Sequence, residues 1–301
     1  MFKGIYPIIA ATFDENGAVD YESFANLIKT LIEGGCEGAT LFGIAGEYYK
    51  LSNEEKEKLA VLTVETCHKY GGKAVISVTE HATEVAKEQA KHFEELGADC
   101  LMLLPPFFLK PNATAVYEHI KAVASAVEIP VMPQYAPEQT GVAISPEIFI
   151  KLSEECPNIQ YYKIECKPVG AYLSKMHKQC DRLGIFIGNA GYQLIEGFKR
   201  GATGAMPGSS MFDVYLDIYN SFFSGDIERA VKVHSALLPM LNHIRQNVEQ
   251  IIYFEKKILK LRGIIKCDYC RKPSFVSDEI YDDMFYMYYN ELAEIYGWKK
   301  A

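Results

Sequence analysis

Residues 73–104 read KAVISVTEHATEVAKEQAKHFEELGADCLMLL. A short apolar run, Lys73–Thr79, is followed by a longer amphipathic segment, Thr83–Leu96, then by Gly97 and a second apolar run, Cys100–Leu104. A short apolar run reads as a strand buried on both faces, a longer amphipathic one as a helix that ends at the glycine. The same alternation continues outward in both directions. Strands are predicted at Tyr6–Phe13, Gly38–Phe42, Lys73–Thr79, Cys100–Leu104, Val131–Tyr135, Gln160–Glu165, Ile185–Gly188 and Gly204–Met206. Helices are predicted at Asp20–Glu33, Asn53–Tyr70, Thr83–Leu96, Ala113–Val127, Pro146–Glu155 and Gln193–Arg200. Their starts carry recognisable signals. Ser52-Asn53-Glu54-Glu55 places a polar cap before acidic first-turn residues, and Ser145-Pro146 places proline at the first helical position.

Eight strand-then-helix units in about 225 residues point to a (β/α)8 barrel, an α/β fold, rather than an open sheet. No G-x-G-x-x-G follows the first strand and no G-x-x-x-x-G-K-[ST] occurs, so the dinucleotide and P-loop readings lose their support. From about Gly225 the alternation stops. Asp226–Met240, Leu241–Leu261 and Ser277–Tyr296 read as helices. The 301 residues thus divide into a catalytic barrel, 1–224, and a C-terminal helical extension, 225–301, used for packing or subunit contacts.

Apolar residues at 49% and charged residues at 23% describe an ordinary globular chain and exclude collagen-like, disordered and coiled-coil readings. The net charge of −8 argues against a nucleic-acid partner but not against an anionic substrate, which responds to local fields. The apolar stretch Leu101–Leu109 is broken by two prolines and too short to span a bilayer, and the N-terminus lacks a leader pattern. A cytoplasmic protein is expected, with its eight cysteines as free thiols. Cys267-Asp-Tyr-Cys270 has no second pair at metal spacing, and the scattered histidines form no H-E-x-x-H. No metal and no cofactor is expected. The Tyr/Phe-rich tail, Tyr281–Tyr296, reads as core or subunit contact.

In a barrel enzyme, chemistry sits at the C-terminal ends of the strands. After the second predicted strand comes Gly43-Ile44-Ala45-Gly46-Glu47, either a plain tight turn or one whose amides converge on an anion. Lys163 stands in Gln160-Tyr-Tyr-Lys-Ile-Glu165, among apolar and aromatic residues. Strand alternation puts Lys163 and Glu165 on one face with Tyr161 below. This is either a nucleophilic amine with an acid/base partner or an ion pair at the barrel rim.

Five features in order resemble the dihydrodipicolinate synthase/N-acetylneuraminate lyase family. They are Gly43–Glu47, Pro137-Glu138-Gln139-Thr140-Gly141, Lys163, Gly188-Asn189, and Gly201-Ala-Thr-Gly-Ala-Met206. The likeness runs from about Lys3 through the C-terminal helices. It implies a Lys163 imine with a 2-oxo acid, a carboxylate cradled by the turn Ile44, Ala45, Gly46 and Glu47, and Met206 against the bound acid. It also implies a homotetramer or homodimer.

The departures have one direction. Ile44 and Ala45 replace the family's hydroxyl residues, and Phe107-Phe108 replaces the synthases' tyrosine pair, leaving Phe108 as a substrate contact. Gln139 stands where the synthases carry arginine. Counting back from Thr140-Gly141 puts Gln134 in the place of the relay tyrosine, with Tyr135 one residue later and able to enter through a bulge. Gln134-Tyr-Ala-Pro137, Lys163-Ile-Glu165 and the Gly201–Met206 stretch are more similar to the 2-keto-3-deoxy sugar-acid dehydratases and aldolases. The expected activity is therefore a lyase acting on a small 2-oxo acid through Lys163, with Glu165 removing the C3 proton. The alternatives are a pyruvate-dependent aldolase or synthase, and an inactive barrel that binds a keto acid.

Overall fold

The computed structural model describes residues 2–301. Eight parallel strands form its centre: β1 (Gly4–Ile5), β2 (Gly38–Leu41), β3 (Lys73–Val78), β4 (Cys100–Leu103), β5 (Val131–Tyr135), β6 (Tyr161–Ile164), β7 (Gly184–Ile187) and β8 (Gly204–Ala205). Neighbours in sequence pair from β2 to β8, and β8 pairs with β1. The gap between β1 and β2 is bridged where Ile8 meets Thr40 and the Ile9 amide donates to the Thr40 carbonyl at 2.9 Å. This is the (β/α)8 barrel the alternation predicts.

The first strand differs from expectation. Regular pairing covers Gly4–Ile5 rather than Tyr6–Phe13, because Pro7 has no N–H to continue the ladder. Ile8 then pairs as a single bridge, and Phe13 turns back to pair antiparallel with Val19.

The barrel helices are α1 (Tyr21–Glu33), α2 (Asn53–Lys69), α3 (Thr83–Glu95), α4 (Ala113–Ala124), the short α5 (Pro137–Thr140), α6 (Pro146–Glu155), α7 (Val169–Gln179), α8 (Leu194–Lys199) and α9 (Phe212–Ser224). The Ser52 signal becomes a complete capping box. The Glu55 amide donates to the Ser52 hydroxyl, and the Ser52 amide donates to the Glu55 carboxylate at 2.8 Å. Arg271 also binds Glu55 and holds its carboxyl down at about 2.

Beyond the barrel lie α10 (Ile227–Ile244), α11 (Val248–Leu261) and α12 (Glu279–Tyr296). The predicted break at Met240/Leu241 is displaced. The helix runs on past Pro239 to Ile244, and the break falls at Arg245–Asn247. Asn247 sets it by accepting from the Gln250 amide at 2.9 Å, which starts α11.

Both faces of the strands are buried. Outward side chains join the helices in the main core, and inward ones fill the lumen with Tyr6, Val75, Cys100, Met102, Met132, Tyr161 and Phe186. Tyr6 and Phe186 meet edge to face at 5.7 Å. The lumen is thus a packed floor, and function is confined to the rim above it.

His119 on α4 is buried against α3, its Nδ1 at 3.0 Å from the Thr83 hydroxyl, and burial lowers its pKa from 6.5 to about 4. The unfolded chain takes up this proton near pH 6.5, whereas the native protein takes it up only near 4. This contribution is full above pH 6.5 and is lost as pH falls toward 4. Urea unfolding should lose on the order of 2–3 kcal/mol across that window, and His119→Gln should remove that part of the slope.

Candidate active site

Lys163 sits one residue before the end of β6, paired in register with Gln134 on β5 and Phe186 on β7. Two residues below it on the same face, Tyr161 belongs to the packed floor. The amine therefore stands on an apolar base, 3% exposed, at the bottom of a small cavity. Its Nζ lies 3.6 Å from Glu165 Oε1.

Glu165 is held from two sides. The Gln134 side-chain amide donates to Oε2, and the Asn189 backbone amide donates to Oε1 at 2.8 Å. Donors aimed at both oxygens fix the carboxylate's plane beside the amine. Its stem needs the space left by Gly188, where a Cβ would come within 2.2 Å of Glu165 Cγ.

The turn expected to hold a carboxylate follows β2. Ile44–Gly46 forms a 3₁₀ turn closed by the Gly46 amide on the Gly43 carbonyl at 2.8 Å. The amides of Ile44 and Ala45, the first in the turn, have no carbonyl behind them and remain free to donate. Gly46 presses on β1's continuation, where a Cβ would stand 2.8 Å from the Ile9 carbonyl oxygen. Backbone strain concentrates in these loops. Phe42, Glu47, Asn189 and Ala190 all have positive φ, between 52° and 59°. The turn after β7 is pinned by the Tyr215 hydroxyl on the Ala190 carbonyl at 2.8 Å and by His234 Nε2 at 3.0 Å from the Gly191 carbonyl.

Lys163, Glu165, Gln134, Ile44, Ala45 and Met206 line one cavity of about 70 Å³, with Gly46 packed behind its turn. Three expected residues lie elsewhere. Tyr135 alternates to the other face of β5 and stacks on Tyr172 at 4.8 Å in the outer core, so Gln134 alone of the pair faces the lumen. Glu47 turns its side chain away from the cavity. It is fully buried, 3.2 Å from Lys50 Nζ and ion-paired with fully buried Lys256 of α11. Phe108 is 79% exposed on the β4 loop, beyond the cavity.

The sequence reading missed the contribution of the C-terminal helices. Arg245, Val248 and Ile251 form one wall of the cavity. Arg245 donates to the Asn189 side-chain oxygen and lies 5.4 Å from the centre of the Tyr192 ring, and burial lowers its pKa. One signal was available. Asn247 followed three residues later by Gln250 is a helix-start pattern, and it places Arg245 in the break. A vestibule of about 680 Å³, bordered by Tyr48, Tyr49 and Phe107, shares Arg245, Ile44 and Gln139 with the lining of this cavity.

The crowding at Gly188 gives a direct check on Glu165. Gly188→Ala must push the carboxylate off Gln134 and the Asn189 amide. Turnover should fall roughly 100-fold for a displacement of about 1 Å, with a folded circular-dichroism spectrum retained.

Comparison with known proteins agrees with this geometry. The model of the Dihydrodipicolinate synthetase family matches residues 1–286. The chain is 30% identical over 244 residues to a 4-hydroxy-tetrahydrodipicolinate synthase of Bartonella quintana, covering 80% of this chain and 82% of the relative. It is 28% identical over 278 residues to an L-2-keto-3-deoxyarabonate dehydratase of Azospirillum brasilense, covering 90% and 88%. The crystal structure of dihydrodipicolinate synthase from Aquifex aeolicus superposes with a TM-score of 0.88 at 26% identity, over 99% of both chains. No helix among the described residues is long and apolar enough to cross a membrane. The chain belongs to the dihydrodipicolinate synthetase family, an enzyme among lyases, aldolases and dehydratases.

Proposed function

We propose that the protein is a Schiff-base lyase for a small 2-oxo acid, best read as a dehydratase or aldolase of a 2-keto-3-deoxy sugar acid. The observation that carries this reading is the composition of the inner cavity. It pairs Lys163 with a single carboxylate, Glu165, and among the described residues its walls hold no serine, threonine or tyrosine hydroxyl. A proton moving at the substrate therefore has one carboxylate to use. The likeness to the L-2-keto-3-deoxyarabonate dehydratase over 90% of the chain supports the sugar-acid assignment.

In this mechanism the Lys163 amine adds to the C2 carbonyl, and loss of water with uptake of one proton from solvent leaves an iminium. The C1 carboxylate accepts from the Ile44 and Ala45 amides, and Met206 packs against the bound carbons. The iminium acidifies C3–H. Glu165 takes that proton, and the C3–H electrons form the enamine. For dehydration, Glu165 returns the proton to the leaving C4 hydroxyl. For the retro-aldol course, Glu165 instead takes the C4 hydroxyl proton, the C3–C4 bond breaks to give the enamine and an aldehyde, and return of that proton to C3 of the enamine restores the iminium. Water then hydrolyses the imine and frees Lys163. Gln134, a poor acid or base, serves by orienting Glu165. A cavity of about 70 Å³ has room for on the order of five water-sized groups, enough for the reacting carbons while the rest of the substrate extends outward.

Borohydride trapping tests this. Incubation with pyruvate or a 2-keto-3-deoxy sugar acid followed by reduction should add the acid's mass to Lys163, and Lys163→Ala should give none. Absence of an adduct with every oxo acid tried would sink the reading and leave the inactive binder. Glu165→Gln should keep the adduct while turnover falls by roughly 10²–10⁴. Release of free pyruvate separates the aldolase from the dehydratase.

A further inference from the structure

Arg245 is the charged wall residue whose pairing is incomplete. It stands in the break between α10 and α11 and borders both the inner cavity and the vestibule. The other charges of the vestibule are matched. Lys167 pairs with Glu138 at 2.8 Å, and Glu249 meets Lys50 at 2.5 Å and accepts from the Tyr49 hydroxyl. Arg245 bonds a neutral partner, the Asn189 oxygen, and its buried Nε–H has no partner among the described residues. Arg245 is partly buried and forms no ion pair among the described residues; the Glu165 and Glu138 carboxylates act on it only from farther away, so an anion brought to its fork restores part of what burial takes away.

We infer that Arg245 is the subsite for a second carboxylate, so that the substrate is a 2-oxo acid carrying a carboxylate at the end remote from its ketone. The inference rests on the Lys163 imine reading proposed above. With the C2 carbon at Lys163 and C1 on the Ile44 and Ala45 amides, the remaining carbons extend toward the vestibule, across the residues that line both spaces. These are Ile44, Gln139, Arg245, Val248 and Ile251, and Arg245 is the one charged residue among them. The planar fork suits a carboxylate. A single unmatched guanidinium balances one negative charge, which favours a carboxylate over a phosphate dianion. The resemblance placed Gln139, not arginine, on the β5 loop, and Arg245 supplies a cation to the same lining from the opposite side of the sequence.

The test compares two six-carbon probes that differ only at C6, a 3-deoxy-2-oxo aldaric acid and the matching aldonic acid with a hydroxymethyl group. Wild-type kcat/KM should favour the aldaric acid by about 100-fold. Arg245→Met should bring the ratio to within a few-fold of unity, chiefly by lowering the aldaric value, and Arg245→Lys should recover part of it. Thermal midpoints of both variants separate a folding defect from a binding one. Equal use of the two acids by the wild type overturns the inference. So does a folded Arg245→Met that loses both activities and pyruvate trapping alike, since Arg245 would then serve the C1 end. A wild type that forms no Lys163 adduct at all instead overturns the imine reading, and the pyruvate control tells the two failures apart.

Discussion

The site is organised around the ion pair between Glu47 and Lys256. Both side chains are fully buried, and a buried charge is tolerable only when it is closely compensated. Lys256 gains two further contacts, the Tyr269 carbonyl at 2.9 Å and the face of Phe13 at 4.3 Å. Glu47 holds the turn that presents the Ile44 and Ala45 amides, while Lys256 fixes α11, which carries Val248 and Ile251 against the cavity and lies one short break away from Arg245. One pair thus ties the backbone of the Ile44–Gly46 turn to the wall opposite. Its geometry also includes a left-handed residue that is not glycine. Glu47 holds φ +59 at the position from which its carboxylate meets Lys256.

A second constraint is the two-residue period of the strands. Lys163, Gln134 and Phe186 share a level of the barrel because their strands are in register, and everything beneath them is packed. The barrel therefore offers only its top layer to chemistry. Changing which groups act there requires changing residues at that level or in the loops just above it. In this chain the level holds an amide where a hydroxyl could stand, and the cavity's one carboxylate among the described residues is Glu165, just past the end of β6.

Much of the fold was legible because strands buried on both faces must be nearly continuous apolar runs, and helix starts such as Ser52 and Pro146 carry local caps. Lys163 and Glu165 were legible for the same local reason, since alternation fixes their shared face. The register count favoured Gln134, and the aromatic pocket formed by Phe149 and Tyr172 is what draws Tyr135 outward. Glu47 and Arg245 were beyond a local reading. The carboxylate in the turn is claimed by a lysine more than two hundred residues downstream, and Arg245 reaches the cavity only because α10 overruns its predicted end and α11 docks on the turn. Pairings set by tertiary docking leave no mark on neighbouring residues.

The placement of Lys256 has a consequence for how the molecule comes into being. Synthesis proceeds from the N-terminus, and domains generally fold as units while it does. All eight strands, with Lys163 and Glu165 among them, have emerged by Ala205. At that stage Glu47 has Lys50 beside it but not yet Lys256, and the opening of the cavity has no arginine. An N-terminal fragment can thus contain Lys163 and Glu165 without the wall that α11 and the break before it place across from them. The cavity is completed last, when the final third of the chain supplies the wall of Arg245, Val248 and Ile251 above strands already made.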